Sequence, residues 1–375
     1  MKTILITGGV GFIGTNACKM ALRYGHKVIA FDNLIRKGVV TNILKHKNYK
    51  FIEGDVRKPA NIKKVGKVDA IIHLAANAGI PWSIKDPVYD FNCNAVGTLN
   101  ILEYARKNNN CPVIFASTNK VYSDSINKLD ISEWRTRYIY GISYDVPDGD
   151  RVDEKGNPIM KHRVKSRYWN GIDEDFPIDG FGKFSHSPYG VSKLTADLLC
   201  QEYWQTFQVP TVINRQSCVY GKHQHGVADQ GWVSWFMMAK IFGKKLTIYG
   251  DGKQVRDALY GEDLAKLYMI ELDILWSKDK EKMAGKVFNV GGGYKNTISL
   301  LEAIELIDRI DNNRHPKLEI EYEDWRHADH KVFYCNIDRI AKYWTPTTNV
   351  PIGFNNTYEW LLENQDLLKQ FIEEK

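Results

Sequence analysis

A tyrosine and a lysine stand four residues apart in Tyr189-Gly190-Val191-Ser192-Lys193. On a helix such residues share one face, one above the other. A phenol is an acid–base group, and its ordinary pKa of about 10 falls toward neutrality when an ammonium sits beside it. By itself the spacing is common and reads more often as an exposed helical pair. Ser117-Thr118-Asn119 changes the weight, because it closes an apolar run, Pro112–Ala116, that reads as a strand. In an open parallel sheet the carboxyl ends of strands line the ligand crevice, so a hydroxyl there can polarise a substrate oxygen next to the phenol. Thr118, Tyr189 and Lys193 are thus the parts of a hydride transfer between an alcohol and a ketone.

A hydride needs an acceptor, and the first thirty residues supply a place for one. Gly8-Gly9-Val10-Gly11-Phe12-Ile13-Gly14 puts glycines at 8, 11 and 14, between a strand candidate at Thr3–Thr7 and a helical pattern over Phe12–Tyr24. Backbone without side chains lets a pyrophosphate approach, and a helix start offers it free N–H groups and partial positive charge. Asp32-Asn33 ends the next strand candidate, Lys27–Phe31. An acid at that point can accept from ribose hydroxyls and repels an extra phosphate, which favours NAD over NADP. Asp55-Val56 follows the run Tyr49–Ile52, where the carboxylate can reach an adenine edge. The small residues of Leu74-Ala75-Ala76 follow His73 and let backbone pass close to the cofactor. His73 itself reads as a packed strand end.

Stepping through the elements that must hold these groups, strand candidates alternate with helical patterns such as Ala95–Lys107, Tyr189–Phe207 and Val233–Gly243, and further strands read at Ala70–Leu74, Pro210–Arg215 and Val287–Val290. That alternation predicts an α/β chain: a Rossmann-type doubly wound parallel sheet with a smaller C-terminal α/β substrate-binding lobe. The expected division is 1–216 for the dinucleotide-binding domain and 217–375 for the lobe, with about 258–293 returning to the first domain. Regular alternation stops after Tyr122. The polar stretch Ser123–Ser185, with turn signals at Asp148-Gly149-Asp150 and Lys155-Gly156-Asn157-Pro158, is too long for a structureless loop and predicts local hairpins or short helices.

Composition excludes several classes. Lys plus Arg is 51 against 45 Asp plus Glu in 375 residues, a net +6 that suits an anionic small substrate and is no nucleic-acid footprint. No run approaches the roughly 18 apolar residues of a membrane span, and the N-terminus turns directly into glycines without a signal-peptide core. Six cysteines without a Cys-x-x-Cys pair argue for reduced thiols, and with the rest for a cytoplasmic chain. His223-Gln224-His225 does not share a helix face and has no evident third ligand, so no metal is expected.

Jointly, the glycine loop, Asp32, Asp55, Leu74-Ala75-Ala76, Asn94 in Asn94-Ala95-Val96-Gly97-Thr98, Thr118, Tyr189 and Lys193 resemble the extended short-chain dehydrogenase/reductase family over nearly the whole chain. The resemblance implies NAD as cofactor, Thr118, Tyr189 and Lys193 as catalytic triad, and Asn94 as a holder of the active-site backbone. It adds Ser117, Gln216 and Cys218 to the cofactor contacts, and implies a homodimer or homotetramer built through the helices Ala95–Lys107 and Tyr189–Phe207. Sugar dehydratases of the family carry Asp-Glu directly after the catalytic threonine, whereas this chain has Asn119-Lys120 and no evident acid and base for eliminating water.

The stretches Ser117–Tyr122, His186–Gly190, Arg215–Gly221, Asp229–Val233 and Ile248–Asp257 are similar to the branch of the family that epimerises CDP-linked sugars at C2. Epimerisation of a UDP-sugar at C4 is the other enzymatic reading. A non-catalytic NAD-binding protein is a third, against which the retained Thr118, Tyr189 and Lys193 count. A planar guanidinium grips phosphate oxygens in two places, so Arg256 and Arg326 are candidates for the substrate diphosphate. Tyr249 is a candidate for the nucleobase, and Asn119, Ser217 and Gln230 complete the substrate set. Two departures bear on the sugar: Ser123 stands where the family has glycine, and the Ser123–Ser185 insert is long and basic.

Overall fold

The computed structural model describes residues 1–36, 38–153, 158–227, 230–326 and 329–372. Asp229 and the turn residues Lys155, Gly156 and Asn157 therefore lie outside the described residues. Five strands from the first third of the chain, β1 (Thr3–Thr7), β2 (Lys27–Asp32), β3 (Tyr49–Glu53), β4 (Ala70–His73) and β5 (Val113–Thr118), join Thr211–Gln216 and Lys286–Val290 in one seven-stranded sheet. Its order is Lys286–Val290, Thr211–Gln216, β5, β4, β1, β2, β3, and every pairing is parallel. Parallel strands covered on both faces must be apolar throughout. Ile4, Ile6, Ile72, Ile114 and Ile213 are accordingly sealed from water, each burial stabilising the fold by about 1.5–3 kcal/mol.

Helix α1 (Phe12–Arg23) and the helix Gly261–Leu275 cover one face through Ala17, Met20, Ala21, Leu264 and Tyr268. Gly97–Lys107 and Ser187–Phe207 cover the other through Ile101, Leu102, Ala105, Ala196 and Cys200. From β1 the chain runs outward to β2 and β3, then returns to β4 on the opposite side of β1. The connections diverge at that point, and the crevice it opens lies beyond the carboxyl ends of the strands. The register sets Thr7 level with Phe31 and His73, and Thr118 level with Gln216, so these ends form one rim.

The C-terminal part forms a second core. Strands Cys218–Tyr220, Val255–Tyr260, Thr297–Ser299 and Val332–Phe333 make a four-stranded sheet. Val233, Phe236 and Met237 pack with Ile307, Phe354 and Leu361 from the helices Trp232–Ile241, Leu300–Asp311 and Val350–Glu363. The polar insert contains a 3-10 turn at Asp124–Lys128, a hairpin of Ile131–Glu133 with Tyr138–Tyr140, and a longer hairpin of Ile142–Val152 with Pro158–Lys165. The short hairpin is pinned to the lobe: Arg137 donates to Glu302, which also closes a capping box with Ser299. Tyr122, Tyr138, Tyr140 and Phe176 pack there with Phe333 and Tyr334. Among the described residues no helix is long and apolar enough to cross a membrane.

Candidate active site

The glycine turn leaves β1 and enters α1 without a side-chain cap on its first N–H groups, which have no intrahelical acceptors of their own. A Cβ on Gly14 would lie 2.0 Å from the Gly8 carbonyl oxygen, and one on Gly8, at φ +67°, 2.9 Å from the Ala75 nitrogen. The turn is thus closed on itself and pressed on the Leu74-Ala75 segment, whose N–H groups both donate to Thr7 Oγ1 at 3.2 Å. Phe12 and Ile13 point into the packing behind it, the Phe12 ring meeting Gly261. Asp32 accepts from the Leu34 N–H at 2.9 Å. Burial pushes its carboxyl up, and backbone donors from Leu34, Val10 and Asn33 pull against that. A glycine-lined cradle, an uncapped helix start and a carboxylate on the next strand fit a dinucleotide.

Two cofactor expectations are altered at this rim. The Asp55 carboxylate is engaged by the Arg57 guanidinium, with Nε 3.0 Å from each oxygen, and Arg57 lies over the Tyr89 ring at 4.5 Å. The carboxylate expected to meet the adenine edge thus already carries a guanidinium. Ser117 donates to Asp197 at 2.6 Å, inside the buried ion pair of Asp197 with Arg215, so its hydroxyl belongs to the packing of the catalytic helix. Val56 packs on Gly97. The Gln216 amide donates to the Tyr268 hydroxyl at 2.6 Å, and the Cys218 sulfur accepts from the Trp232 indole at 3.1 Å; Ala76, next after the Leu74-Ala75 segment, is half-buried.

Asn94 holds the active-site backbone through four hydrogen bonds. Its oxygen accepts from the Asn77 N–H at 2.8 Å, and its amide nitrogen lies 3.1 Å from the Asn77 carbonyl, 3.1 Å from Asp90 and 2.9 Å from Ser192. A helix was expected from Ala95; instead a π-turn at Asn92–Val96 precedes it, a widened turn that re-aims a side chain. Asp90, which sequence reasoning missed, is the hub: fully buried, it accepts from Ser192 at 2.5 Å and from Asn77 at 3.0 Å. The signal was present as an acid one turn before Asn94. His73 is the packed strand end expected, within 2.6 Å of Thr7 Oγ1 and 3.0 Å of Thr98 Oγ1, and burial drives its pKa down to about 3.

The helix Ser187–Phe207 brings Tyr189 to Thr118, with Gly190 packed so closely on the Lys120 carbonyl that a Cβ there would lie 2.6 Å from it. Desolvation pushes the Tyr189 phenol up to about 12, against the pull of a hydrogen bond with Thr118 and of the Arg36 charge. The Lys193 ammonium donates to the Ala116 carbonyl at 2.6 Å and lies over the Phe115 ring at 4.2 Å, and burial takes its own pKa down to about 8. The cation felt by the phenol is Arg36, a residue absent from the sequence-based set.

The opposite wall comes from the lobe. Arg256 donates to Asp329 at 2.7 Å, and the Lys120 ammonium lies 3.7 Å from the same oxygen. Burial brings Lys120 down to about 8, and despite burial Arg256 and Lys120 hold Asp329 at about 2. Asn119 sits 3.3 Å from the Thr118 hydroxyl. Ser217 donates to the buried Asp257, and Gln230 accepts from Arg36. Arg326 lies 3.8 Å over the Tyr249 ring, so the ring face read as a nucleobase platform carries a guanidinium. His223 is turned to Lys19, its Nε2 2.5 Å from the ammonium. Lys120, Asp329 and the buried His330 were not singled out as a cluster, because nothing in the sequence announces that residues 120 and 329 meet.

A doubly wound sheet with a dinucleotide cradle and an acid–base pair at its rim defines an NAD-dependent enzyme. The chain belongs to the NAD dependent epimerase/dehydratase family, whose model matches residues 4–143 and 172–291, leaving most of the long hairpin as an addition. It is 35% identical to the CDP-paratose 2-epimerase of Salmonella typhi, over 95% of this chain and 98% of that one. Among solved structures it resembles the UDP-glucose 4-epimerase of Thermus thermophilus in complex with NAD, at 25% identity and a TM-score of 0.70 over 96% of this chain and 99% of that one. It also resembles the dTDP-glucose 4,6-dehydratase of Bacillus anthracis in complex with NAD, at 26% identity and a TM-score of 0.71 over 99% of each.

Proposed function

We propose that the chain epimerises a nucleotide-linked sugar, inverting C2 of a CDP-linked hexose of the CDP-paratose/CDP-tyvelose type through a transient 2-keto sugar. Bound NAD supplies the hydride acceptor and donor. Tyr189, beside Thr118, takes the proton of the sugar hydroxyl as a phenolate, the form that the Arg36 charge and the positively charged nicotinamide ring of bound NAD would favour against desolvation, and returns it once the ketone has presented its other face, so net redox is zero. The observation that carries the reading is the packing of the Tyr189-Gly190 turn of the helix Ser187–Phe207 on the segment just after Thr118, where Asn119 and Lys120 follow. No carboxylate stands directly after Thr118 to take a proton from carbon, which disfavours elimination. The choice of C2 and of cytidine rests on the Salmonella typhi relative. The Thermus thermophilus neighbour favours a second reading, C4 of a UDP-sugar, on the same acid–base pair.

Purified protein is to be incubated in deuterated water with CDP-paratose and, separately, with UDP-glucose, without added cofactor. The expected product is the CDP-linked 2-epimer, unchanged in mass, with no deuterium at C2. Tyr189→Phe should slow it by about 10²–10⁴-fold at unchanged NAD content. Conversion of UDP-glucose alone moves the assignment to C4, and dependence on turnover of external NAD sinks epimerisation itself. For assembly we propose a pair of identical chains. The helices Gly97–Lys107 and Ser187–Phe207 expose Leu99, Val191, Leu198 and Phe207, a face that a second copy would cover; a monomer by light scattering would refute it.

A further inference from the structure

The connection leaving β2 is anchored at both ends beside the glycine turn. At its start, Gly8 and Gly9 donate to the Phe31 carbonyl at 2.8 and 3.3 Å, and Asp32 and Asn33 accept from the N–H groups of Leu34 and Ile35. At its far end, the buried Asn42 amide donates to the Val10 carbonyl at 3.1 Å. Between these anchors, Arg36 leaves the loop and crosses the mouth of the crevice. One guanidinium nitrogen donates to the Ala78 carbonyl at 3.0 Å, beyond β4, and another to the Gln230 side chain of the lobe. A single side chain therefore joins three elements over the cradle, and its charge is felt by Tyr189. The glycine turn presents N–H groups on one side of that space, and Arg36 presents a full positive charge on another.

We infer that Arg36 is a cofactor-retaining residue whose guanidinium, held across the crevice by Ala78 and Gln230, grips the pyrophosphate of the bound dinucleotide opposite the glycine turn. The inference rests on the reading of the crevice as the NAD site, and is independent of which sugar is turned over. It also answers a need of that chemistry: a reaction without net redox works only if the dinucleotide stays bound between the removal and the return of the hydride. Backbone N–H groups alone offer partial charge, whereas a guanidinium adds charge-assisted, two-point contact with phosphate oxygens.

The test is NAD retention, read without any sugar. The parent chain, Arg36→Ala, Arg36→Gln and Gln230→Ala are gel-filtered, and the NAD released on denaturation is quantified per chain at low and high salt. Arg36→Ala and Arg36→Gln are expected to weaken NAD binding about tenfold or more, roughly one charge-assisted contact, and to flatten its salt dependence. Gln230→Ala, which removes a tether and keeps the charge, should lose a smaller part, about two- to fivefold. Retention by Arg36→Ala equal to the parent's overturns the proposal, and retention by Arg36→Gln alone overturns its electrostatic basis. A parent that binds no NAD overturns the cofactor reading along with it.

Discussion

The two walls of the crevice are made of different material. On the sheet side the surface is mostly backbone: the glycine turn, the uncapped start of α1 and the Leu74-Ala75 segment, with Asp32 at the end of β2 and Arg36 in the loop beyond it adding charge. On the facing side the surface is side chains drawn from separate stretches of sequence, Lys120 just after β5, Arg256, and the neighbours Arg326 and Asp329, with Tyr249 beneath Arg326. A backbone wall tolerates little change in shape where an added atom meets another main chain, as at Gly8 and Gly14. A side-chain wall can be re-cut one residue at a time while the fold stands. In a family whose relatives include both epimerases and a dehydratase bound to NAD, the proposed function gives the constant partner the first wall and the variable one the second.

That contrast can be broken most sharply at Gly14. A methyl group there lies 2.0 Å from the Gly8 oxygen, so the turn must move, and Gly14→Ala is expected to abolish NAD binding and to destabilise the fold by about 1–3 kcal/mol or more. Gly11→Ala, whose Cβ would lie 3.2 Å from the same oxygen, should do much less. Binding titrations and urea melts on both measure this, and a Gly14→Ala chain that binds NAD normally would end the claim that the sheet-side wall is rigid backbone.

A smaller effect is expected from Asp329→Asn. It leaves Lys120 and Arg256 facing each other without their shared anion, which should lower stability at pH 7 by about 1–3 kcal/mol and weaken sugar-nucleotide binding while sparing NAD. The pH dependence fixes the cause. The Asp329 pKa in the fold, about 2, lies below its ordinary 3.8, so its stabilisation is present above 3.8 and fades as pH falls through 2. Urea melts at pH 7 and pH 3 should show the gap between parent and variant narrowing at the lower pH; a gap that stays constant would assign the loss to shape and not to charge.

The same division explains what could be read from the residues alone. The sheet, the cradle, Asp32 and the tyrosine–lysine helix were legible because each is encoded locally, by apolar runs, by glycine spacing or by a four-residue interval. The π-turn at Asn92–Val96 was not, since its sequence suits an ordinary helix and only the demand of Asn94 for Asn77 and Ser192 widens it. Asp55 was placed at the end of its strand, while its pairing with Arg57, two residues away, was not read. Lys193 was placed on a helix face with Tyr189, while its ammonium donates to the Ala116 carbonyl. Arg36 and Asp329 were invisible for one reason: each acts across a gap in sequence that only the closed topology spans.

The mildest test of the side-chain wall lies at Tyr249. Its ring is held by the pairing of Leu246–Tyr249 with Ile320–Glu323, which sets Tyr249 level with Glu323, and Arg326 lies over its face at 3.8 Å. If the ring serves to support the guanidinium for the substrate diphosphate, the aromatic face matters and the hydroxyl does not. Tyr249→Phe keeps the face, so KM for the nucleotide sugar should stay within about twofold. Tyr249→Leu removes it and forfeits about 0.5–1 kcal/mol of cation–π attraction, a rise in KM of about two- to fivefold at nearly unchanged kcat. Equal behaviour of the two variants would mean that Arg326 is placed by its other neighbours, and a fall in kcat would put the ring closer to the reacting carbon than a support for phosphate should be.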